Sequence, residues 1–203
     1  MFTGIVEEIG KVLSLRKSGE GWELAIEAEK VVDGARLGDS VAVEGTCLTI
    51  TEMVEGGFIV GLAPETLART HLGELESSDP INLERSLAVD GRFDGHFVQG
   101  HVDGTGTICR VTPEEDSLWV EIEAPPEILR YLVPKGYVAV DGVSLTVVEV
   151  GDASFTFMLV AYTQRHISLP QKQVGDRVNL EVDILGKYIE KLIGGQSHAF
   201  SQH

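Results

Sequence analysis

The feature that most constrains the fold of this chain is an internal repeat. The segments VAVEGTCLTI, residues 41–50, and VAVDGVSLTV, residues 138–147, share nearly the same order of residue types. Other segments match in the same order, namely residues 4–10 with 100–106, 24–30 with 120–126, 58–70 with 155–167, and 81–87 with 178–184. The offset is 96 near the start of each half and 97 later, a slip that one loop absorbs. The repeat therefore predicts a tandem pair of similar domains.

Each half has the pattern of a β protein. Short runs rich in β-branched residues, such as SVAVEG and LTITEMV, are separated by glycine, aspartate or asparagine turn signals. The segments EGG, residues 55–57, and GDA, residues 151–153, lie between two such runs and predict hairpins. Several short strands in each half favour a small closed barrel, because closure removes exposed strand edges. We expect an all-β fold with one barrel over residues 1–96 and another over 97–185.

Few segments have helical periodicity. A short helix is expected around residues 28–38, and a second over residues 125–136, which begin and end near prolines. A third is expected as an appended element over residues 186–195, where two glycines are expected to end it. Its apolar stripe consists of Ile184, Leu185, Tyr188, Ile189, Leu192 and Ile193. Such a helix favours core packing or a subunit contact over a membrane anchor, and the tail 196–203 is expected to be disordered.

The composition excludes several classes of function. The chain has 32 Asp and Glu against 16 Lys and Arg, a net charge of −16, which repels phosphate backbones and anionic lipid headgroups. We therefore expect no nucleic-acid partner and no membrane partner, and no apolar run reaches the roughly 18 residues that span a bilayer. The segment MFTGIVEEIG lacks the basic region of a signal peptide, and Cys47 and Cys109 cannot form a disulfide framework. These features favour a cytoplasmic protein with reduced thiols.

The first candidate for chemistry is the repeated Gly-x-Cys/Ser-Leu-Thr element. Because side chains alternate along a strand, Cys47 and Thr49 share one face, and Ser144 and Thr146 share the equivalent face of the other copy. A glycine before the strand lets the backbone approach a ligand closely. The alternative is structural, since threonine is common in strands and buried cysteine acts as a small hydrophobic residue. The repetition of polar residues on one face leaves both interpretations open.

Two further segments carry candidate groups. His96 and His101 are five residues apart, a spacing that suits neither a helical zinc pair nor two neighbours on one strand face, so we expect no metal. A histidine that transfers a proton near neutral pH is favoured, and a loop histidine bonded to backbone is the alternative. The segment APETLART, residues 63–70, predicts a strand end that turns into a short helix. Its amides could bind an anionic or heteroaromatic edge, or Glu65 or Thr66 could be a plain N-cap.

Several motifs then converge on one family. MFTGIVEE, GTCLT, APETL, NLER, DGHFVQGHVDG and VDGVSLT, in this order and spacing, resemble the riboflavin synthase α-chain family over about residues 1–190. The resemblance implies two tandem six-stranded Greek-key barrels, a homotrimer with the C-terminal helix in the trimer contact, an association with lumazine synthase, and no metal or redox cofactor. The active site is expected where the N-terminal barrel of one subunit faces the C-terminal barrel of another.

The resemblance also implies a reaction. Two molecules of 6,7-dimethyl-8-ribityllumazine exchange a four-carbon unit and give riboflavin and 5-amino-6-ribitylamino-2,4(1H,3H)-pyrimidinedione. This dismutation needs a proton removed from the C7 methyl group of one lumazine and a nucleophile added to the other. It also needs the two rings held face to face, which a protein achieves mainly by positioning.

The substrate-binding residues of the family carry over to two groups in sequence order. The first lumazine site is expected to use Gly4, Ile5, Val6, Cys47, Leu48, Thr49, Gly61, Leu62, Ala63, Pro64, Glu65 and Thr66. The second is expected to use Gly100, His101, Val102, Lys135, Ser144, Leu145, Thr146, Leu159, Val160, Ala161, Tyr162, Thr163 and Gln164.

Five residues are expected nearest the reacting carbons, and they are Phe2, Cys47, His101, Ser144 and Thr146. Acid–base help is expected from His101, Ser144 or Thr146. Cys47 is expected either to supply a nucleophile or to shape its pocket, and the sequence does not distinguish these roles.

One segment departs from the family pattern. The second half has LVAYTQRHISLP where relatives repeat a PETL-like turn, so Ala161 and Tyr162 replace Pro and Glu, while Thr163 matches Thr66. This departure weakens the site assignments there rather than the function. The alternative function is a non-catalytic lumazine- or flavin-binding relative built on the same doubled barrel. The candidate reactive groups in both halves favour the enzyme, because a pure binder needs one good pocket.

Overall fold

The chain forms two closed β-barrels, one from each half, in a computed structural model that describes residues 1–19 and 21–196. The N-terminal strands are β1 (Glu8–Ser18), β2 (Gly21–Glu27), β3 (Ser40–Val43), β4 (Thr46–Val54), β5 (Gly57–Leu62) and β6 (Pro80–Arg85). The C-terminal strands are β7 (Gly104–Glu114), β8 (Ser117–Glu123), β9 (Tyr137–Val140), β10 (Val143–Val150), β11 (Ser154–Leu159) and β12 (Arg177–Val182). The first barrel closes in the order β1-β2-β5-β4-β3-β6, and each strand of the second has the equivalent neighbours. The predicted fold of two tandem barrels is confirmed.

Strand alternation gives each barrel its own core. On β2, Leu24 and Ile26 are fully buried, and on β8 the equivalent Val120 and Ile122 are buried as well, while the residues between them are partly exposed. Burial of each such side chain contributes roughly 1.5–3 kcal/mol. The two cores are separate clusters, so each half has the interior of an independent domain.

The repeated ten-residue phrases form hairpins whose turns touch each other. Glu44 and Gly45 join β3 to β4 with φ of 46° and 75°, and Asp141 and Gly142 join β9 to β10 with φ of 46° and 81°. Two consecutive positive φ angles in a two-residue loop match the type I′ hairpin turn, which favours glycine at the second position. A Cβ on Gly45 would lie 2.5 Å from the Gly142 nitrogen, so the contact also requires glycine. The two phrases therefore meet back to back at the junction of the barrels.

Short helices follow the barrel strands. They are α1 (Pro64–Arg69), α2 (Pro126–Leu129), α3 (Ala161–Gln164) and the longer α4 (Ile184–Gln196). The helix expected around residues 28–38 is wrong. Residues 31–34 form turns instead, in which the Asp33 amide bonds to the Lys30 carbonyl, and Gly34 has a left-handed φ of 75° that ends helical geometry.

The C-terminal helix α4 presents an apolar stripe to solvent. It continues through its two glycines to Gln196, because glycine disfavours a helix by about 1 kcal/mol without forbidding its geometry. The tail predicted beyond it lies outside the described residues. Glu190 binds Arg130 and Tyr131, and Lys187 binds Asp103, which holds one side of α4 on the C-terminal barrel. The exposed apolar residues are Leu185, Tyr188, Ile189, Leu192 and Ile193. Among the described residues, no helix has both the length and the apolar character to cross a membrane.

A buried ionic cluster joins the two barrels behind the touching turns. The carboxylates of Glu44 and Asp141 are 0% exposed. His71 Nε2 lies 3.0 Å from Asp141 Oδ1 and 3.4 Å from Glu44 Oε2. Lys172 Nζ lies 3.1 Å from Asp141 Oδ2 and 3.3 Å from Glu44 Oε2, as ion pairs without well-aligned hydrogen bonds. Glu44, His71 and Asp141 are metal-ligand types, but the Lys172 ammonium supplies the positive charge among them.

Two asparagines extend this junction with nearly two-fold symmetry. Asn82 donates through Nδ2 to the Asp141 carbonyl at 3.0 Å, and Asn179 donates to the Glu44 carbonyl at 2.8 Å. The Asn82 amide oxygen accepts a hydrogen bond from the Ser168 amide, and the Asn179 amide oxygen accepts the equivalent bond from the His71 amide. All of these bonds are buried, so the relative orientation of the two barrels is fixed by specific polar contacts.

His71 gives the ionic cluster a pH dependence. Burial alone lowers the pKa of His71, but the Asp141 and Glu44 carboxylates outweigh it and raise the pKa from 6.5 to about 9. Because the folded pKa lies above the unfolded one, this stabilisation is complete below pH 6.5 and is lost as the pH rises through 9. We expect the free energy of unfolding to fall by roughly 3 kcal/mol over that window in urea titrations, and His71→Gln to flatten the slope. An equal slope in both proteins would contradict the assignment.

Candidate active site

The repeated phrases place equivalent polar groups on the outside of each barrel. On β4, Cys47 is partly buried and Thr49 is exposed, and on β10 the same holds for Ser144 and Thr146. The leucine between each pair is buried and points into its barrel. The predicted alternation is therefore observed in both copies, and we refer to these surfaces as the Cys47 face and the Ser144 face.

The segments that precede the first strand of each barrel cross to the other barrel. The Gly4 carbonyl accepts a hydrogen bond from the Ser144 amide at 2.8 Å, and the Gly100 carbonyl accepts the equivalent bond from Cys47 at 2.8 Å. A Cβ on either glycine would lie 2.6 Å from the Cβ of its partner, so no larger residue fits. This differs from the grouping expected from sequence order, because Gly4 lies against Ser144 and Gly100 lies against Cys47, each on the opposite barrel. Sequence order could not show this, because a repeat has the same residue pattern whether each of these segments contacts its own barrel or the opposite one.

Two buried glutamates hold the crossing segments. Glu84 at the end of β6 accepts hydrogen bonds from the amides of Thr3 and Gly4 at 2.7 and 3.0 Å. Glu181 on β12 accepts three amide bonds from residues 99–101 at 2.7 to 2.9 Å. Burial raises the pKa of both carboxyls, and the backbone donors oppose this rise. The sequence repeat includes the matching segments NLER, residues 82–85, and NLEV, residues 179–182, but the binding of backbone amides by their glutamates was not predicted. The signal that could have shown it is a glutamate that recurs at the same position of an otherwise apolar strand.

The histidine that contacts Ser144 is His96. Its Nδ1 lies 2.6 Å from Ser144 Oγ, and its ring stacks on Tyr137 with centroids 5.1 Å apart and planes 7° apart. The residue is 4% exposed, and Nε2 has no hydrogen-bond partner among the described residues. Burial lowers the pKa of His96, and the Asp183 carboxylate opposes the shift. The imidazole is therefore neutral at pH 7 and can accept a proton from the serine. Sequence order grouped His101 with Ser144, but the ring nitrogen within hydrogen-bonding distance of Ser144 Oγ belongs to His96.

The other two predicted catalytic residues have different surroundings. His101 is exposed and follows Gly100 on the Cys47 side. Phe2 is 0% exposed, and its amide donates to the Val98 carbonyl at 2.7 Å. With Val98 and two alanines it forms a small core between the barrels, against which Cys47 packs. Phe2 thus supports Cys47 from behind and presents no surface to a ligand.

The short helices beside the two faces begin in the same way. The residue before α1, Ala63, has φ −74° and ψ 157°, and the residue before α3, Val160, has φ −71° and ψ 156°. Replacement of the Pro-Glu pair in the second half therefore leaves the backbone at the start of the helix unchanged, although α3 is shorter than α1. Neither helix has a side-chain cap, so the N-cap role considered for Glu65 or Thr66 is wrong. Glu65 instead pairs with Arg69 at 2.9 Å.

Lys135 has a strained backbone. Its φ is 70°, whereas the equivalent position in the first half is Gly38 with φ of 90°. The two amides make equivalent bonds, to the carbonyls of Val147 and Ile50 at 2.8 and 2.9 Å. A non-glycine residue there costs on the order of 1–2 kcal/mol, and the side chain is exposed. Strained backbone of this kind is concentrated at ligand-binding sites, so the role predicted for Lys135 agrees with its φ and stays a prediction.

The two faces are open surfaces. One cavity of about 480 Å³ is lined by Ile5, Ser40 and Arg85 among others, and another of about 430 Å³ adjoins His71 and Lys172. Neither is lined by the reactive groups of the two faces. A planar ligand on either face would keep one side free for a second surface.

The comparisons with known proteins decide the family. The model of the lumazine binding domain matches residues 3–86 and 99–183, one copy in each barrel. The riboflavin synthase of Actinobacillus pleuropneumoniae is 47% identical over 193 residues, which are 95% of this chain and 90% of that protein. The chain belongs to the riboflavin synthase family. The riboflavin synthase of Schizosaccharomyces pombe, another relative, is 45% identical over 197 residues, 95% of this chain and 94% of that protein.

Solved structures share the fold of this riboflavin synthase family member. LumP complexed with 6,7-dimethyl-8-(1'-D-ribityl) lumazine matches with a TM-score of 0.81 and 24% identity, over 90% of this chain and 99% of that one. LumP complexed with riboflavin matches with a TM-score of 0.84 and 23% identity over the same shares. These likenesses concern the fold alone. The much higher identity to the synthases confirms the predicted family and favours the enzyme over a binding-only relative.

Proposed function

We propose that this chain catalyses the dismutation of two 6,7-dimethyl-8-ribityllumazine molecules to riboflavin and 5-amino-6-ribitylamino-2,4(1H,3H)-pyrimidinedione, the final step of riboflavin biosynthesis. The observation that carries the proposal is the pair of equivalent open faces, one with Cys47 and the other with Ser144 bonded to His96. A reaction between two identical molecules needs two similar binding faces, and the duplicated barrel provides them. Family membership agrees with this chemistry.

The two faces suit different parts of the reaction. At the Ser144 face, neutral His96 takes the serine proton while Ser144 Oγ takes the C7 methyl proton of one lumazine, and the resulting carbanion is delocalised into the ring. At the Cys47 face, the thiol shares its strand face with Thr49, and His101 follows Gly100, whose carbonyl accepts a hydrogen bond from the Cys47 amide. The second lumazine is proposed to bind there. Lys135 is proposed to bind substrate beside the Ser144 face. Holding the two rings together supplies much of the acceleration, because orientation replaces a bimolecular encounter.

We also propose a homotrimer in which the Cys47 face of one subunit meets the Ser144 face of the next. Support comes from the open faces, which each need a second surface, and from the exposed apolar stripe of α4. The proposal includes the association with lumazine synthase that the family resemblance implies. A cytoplasmic location agrees with the free thiols of Cys47 and Cys109.

Removal of the residues after Leu185 tests the role of α4. We expect a smaller species by light scattering and a rate about 10²-fold lower, because a face without its opposing surface no longer positions two rings. A chain truncated after Gln196 is the matched control and keeps the whole helix. An unchanged oligomer after the longer deletion would refute the role of α4.

The reaction itself is tested with purified full-length protein and 6,7-dimethyl-8-ribityllumazine. We expect riboflavin absorbance to rise in the absence of added cofactor, with two lumazines consumed for each riboflavin formed. Tight binding of one fluorescent lumazine per chain without turnover would instead establish the binding-only function.

A further inference from the structure

A further difference between the Cys47 face and the Ser144 face lies on the strand next to each reactive strand. Ile50 on β4 pairs with Val60 on β5, so Thr49 lies beside Gly61 on the outer side of the N-terminal barrel. Val147 on β10 pairs with Phe157 on β11, so Thr146 lies beside Met158 in the equivalent place. The repeat therefore puts a glycine next to one reactive strand and a methionine next to the other.

Gly61 is not required by the backbone or by packing. A Cβ built on it meets no atom within 4 Å, and its φ lies outside the left-handed region. Gly57 on the same strand is the contrast, since its Cβ would lie 1.9 Å from the Ile26 carbonyl oxygen. The missing side chain at Gly61 thus leaves space on the outer face. Met158 occupies the equivalent position on the second face with a long side chain that is 37% exposed.

The residues that follow Gly61 and Met158 form the rim of each face, and the rim of the Ser144 face is again the bulkier and more apolar of the two. Beside Gly61, the exposed rim residues are Ala63 and Glu65, and Glu65 is bound to Arg69. Beside Met158, the rim consists of Val160, 56% exposed, and Tyr162, 69% exposed. Tyr162 stacks on His166 with centroids 4.2 Å apart, at the positions equivalent to the Glu65–Arg69 pair. The Cys47 face is therefore flat and open, and the Ser144 face is bulky and apolar.

We propose that Gly61 and Met158 are the specificity-determining pair that makes the two faces bind the same flat heteroaromatic ring unequally. At the Cys47 face the ring lies directly on the β5 backbone at Gly61. At the Ser144 face the ring must first displace or immobilise the Met158 side chain, which loses its rotamer freedom. The Cys47 face is thus the tight site and the Ser144 face the weak one. For its ligand class, this inference rests on the proposed function.

The test uses riboflavin as the probe, because it is a product and is not consumed. Its fluorescence is titrated with the full-length chain, and wild type is expected to show one tight and one weak class of site. Gly61→Met is expected to weaken the tight class by about 30-fold, as for a side chain that fills a ring-sized space. Met158→Ala and Met158→Gly are expected to strengthen the weak class by about 10-fold and to leave the tight class unchanged.

Matched controls separate these effects from changes in folding. Met53→Ala removes a methionine of 38% exposure from the far end of β4, and Ser14→Met adds one on the exposed side of β1. Both controls are expected to bind riboflavin as wild type does. A Gly61→Met chain that keeps the tight class, or Met158 variants that leave the weak class unchanged, would overturn the inference. Failure of lumazine turnover in wild type, with binding shifts as expected, would refute the proposed reaction and uphold the inference.

Discussion

Replacement of Ser144 by alanine is expected to lower kcat for riboflavin formation by about 10²-fold, the contribution typical of a positioned acid–base group. The Ser144 hydroxyl lies on the Ser144 face and is hydrogen-bonded to a buried base, His96, whose Nδ1 is 2.6 Å from Ser144 Oγ. The expected change in KM is small, because the backbone contacts between Ser144 and Gly4 do not depend on the hydroxyl. Stopped assays of riboflavin absorbance over a range of lumazine concentrations separate the two constants.

His96 is expected to act through Ser144 and to leave its mark on the pH profile. Because burial places the pKa of His96 below its ordinary value of 6.5, activity is expected to stay high at pH 7 and to fall in acid as the imidazole is protonated. His96→Asn keeps a hydrogen-bonding group near Nδ1 but does not titrate. We expect it to lower kcat and to remove the acid limb of the pH profile below pH 6.5, with little change in KM, since His96 is 4% exposed.

The two substitutions are expected to be non-additive. If serine and histidine act as one unit, the chain with both Ser144→Ala and His96→Asn loses no more activity than Ser144→Ala alone. Ser14→Ala, on the exposed side of β1, is the control and is expected to keep full activity. Losses that multiply in the double variant, or an acid limb that survives in His96→Asn, would contradict the proposed pair.

The fold could be predicted because its signals are local. Strand alternation and turn glycines depend on neighbours in sequence, and the repeat of residues 41–50 in 138–147 shows that the same local pattern occurs twice, so together they indicated two barrels. The short helices α1 and α2 had the same kind of signal in their prolines, but α2 ends at Leu129, well before the end of the helix expected over residues 125–136. The expected helix near residues 28–38 failed because apolar spacing over so few residues also suits consecutive turns.

The candidate site could be predicted only in part because it depends on contacts across the repeat. Gly4 and Gly100 were identified as site residues, but their exchange between barrels involves partners more than 50 residues away. His96 and His101 lie in the same segment, and sequence does not show that His96 is the one that reaches Ser144. Glu44 and Asp141 occupy equivalent positions in the two repeated phrases, yet their pairing with cations from two other loops follows from barrel packing alone.

Lys172→Met is expected to lower the free energy of unfolding by about 3–5 kcal/mol, the usual effect of removing one partner from a buried ion pair. In wild type, the Glu44 and Asp141 carboxylates raise the pKa of Lys172 in spite of its burial, so the ammonium is charged, and His71 supplies a second positive charge. Without Lys172 the cluster keeps two negative charges against one positive charge, and both carboxylates are fully buried. Urea unfolding at pH 6.5 measures the loss, and Lys11→Met, an exposed lysine on β1, is the control.

Charge balance, rather than the lysine as such, should decide the stability of the junction. The double variant Glu44→Gln with Lys172→Met leaves Asp141 opposite protonated His71 and restores neutrality, so it is expected to recover most of the lost free energy. Recovery of this kind separates uncompensated charge from lost packing, because both variants lack the lysine stem.

The turns at Glu44 and Asp141 each lead, three residues later, to Cys47 and Ser144. Restored balance should therefore also restore riboflavin formation, whereas a double variant as unstable as Lys172→Met would assign the effect to packing.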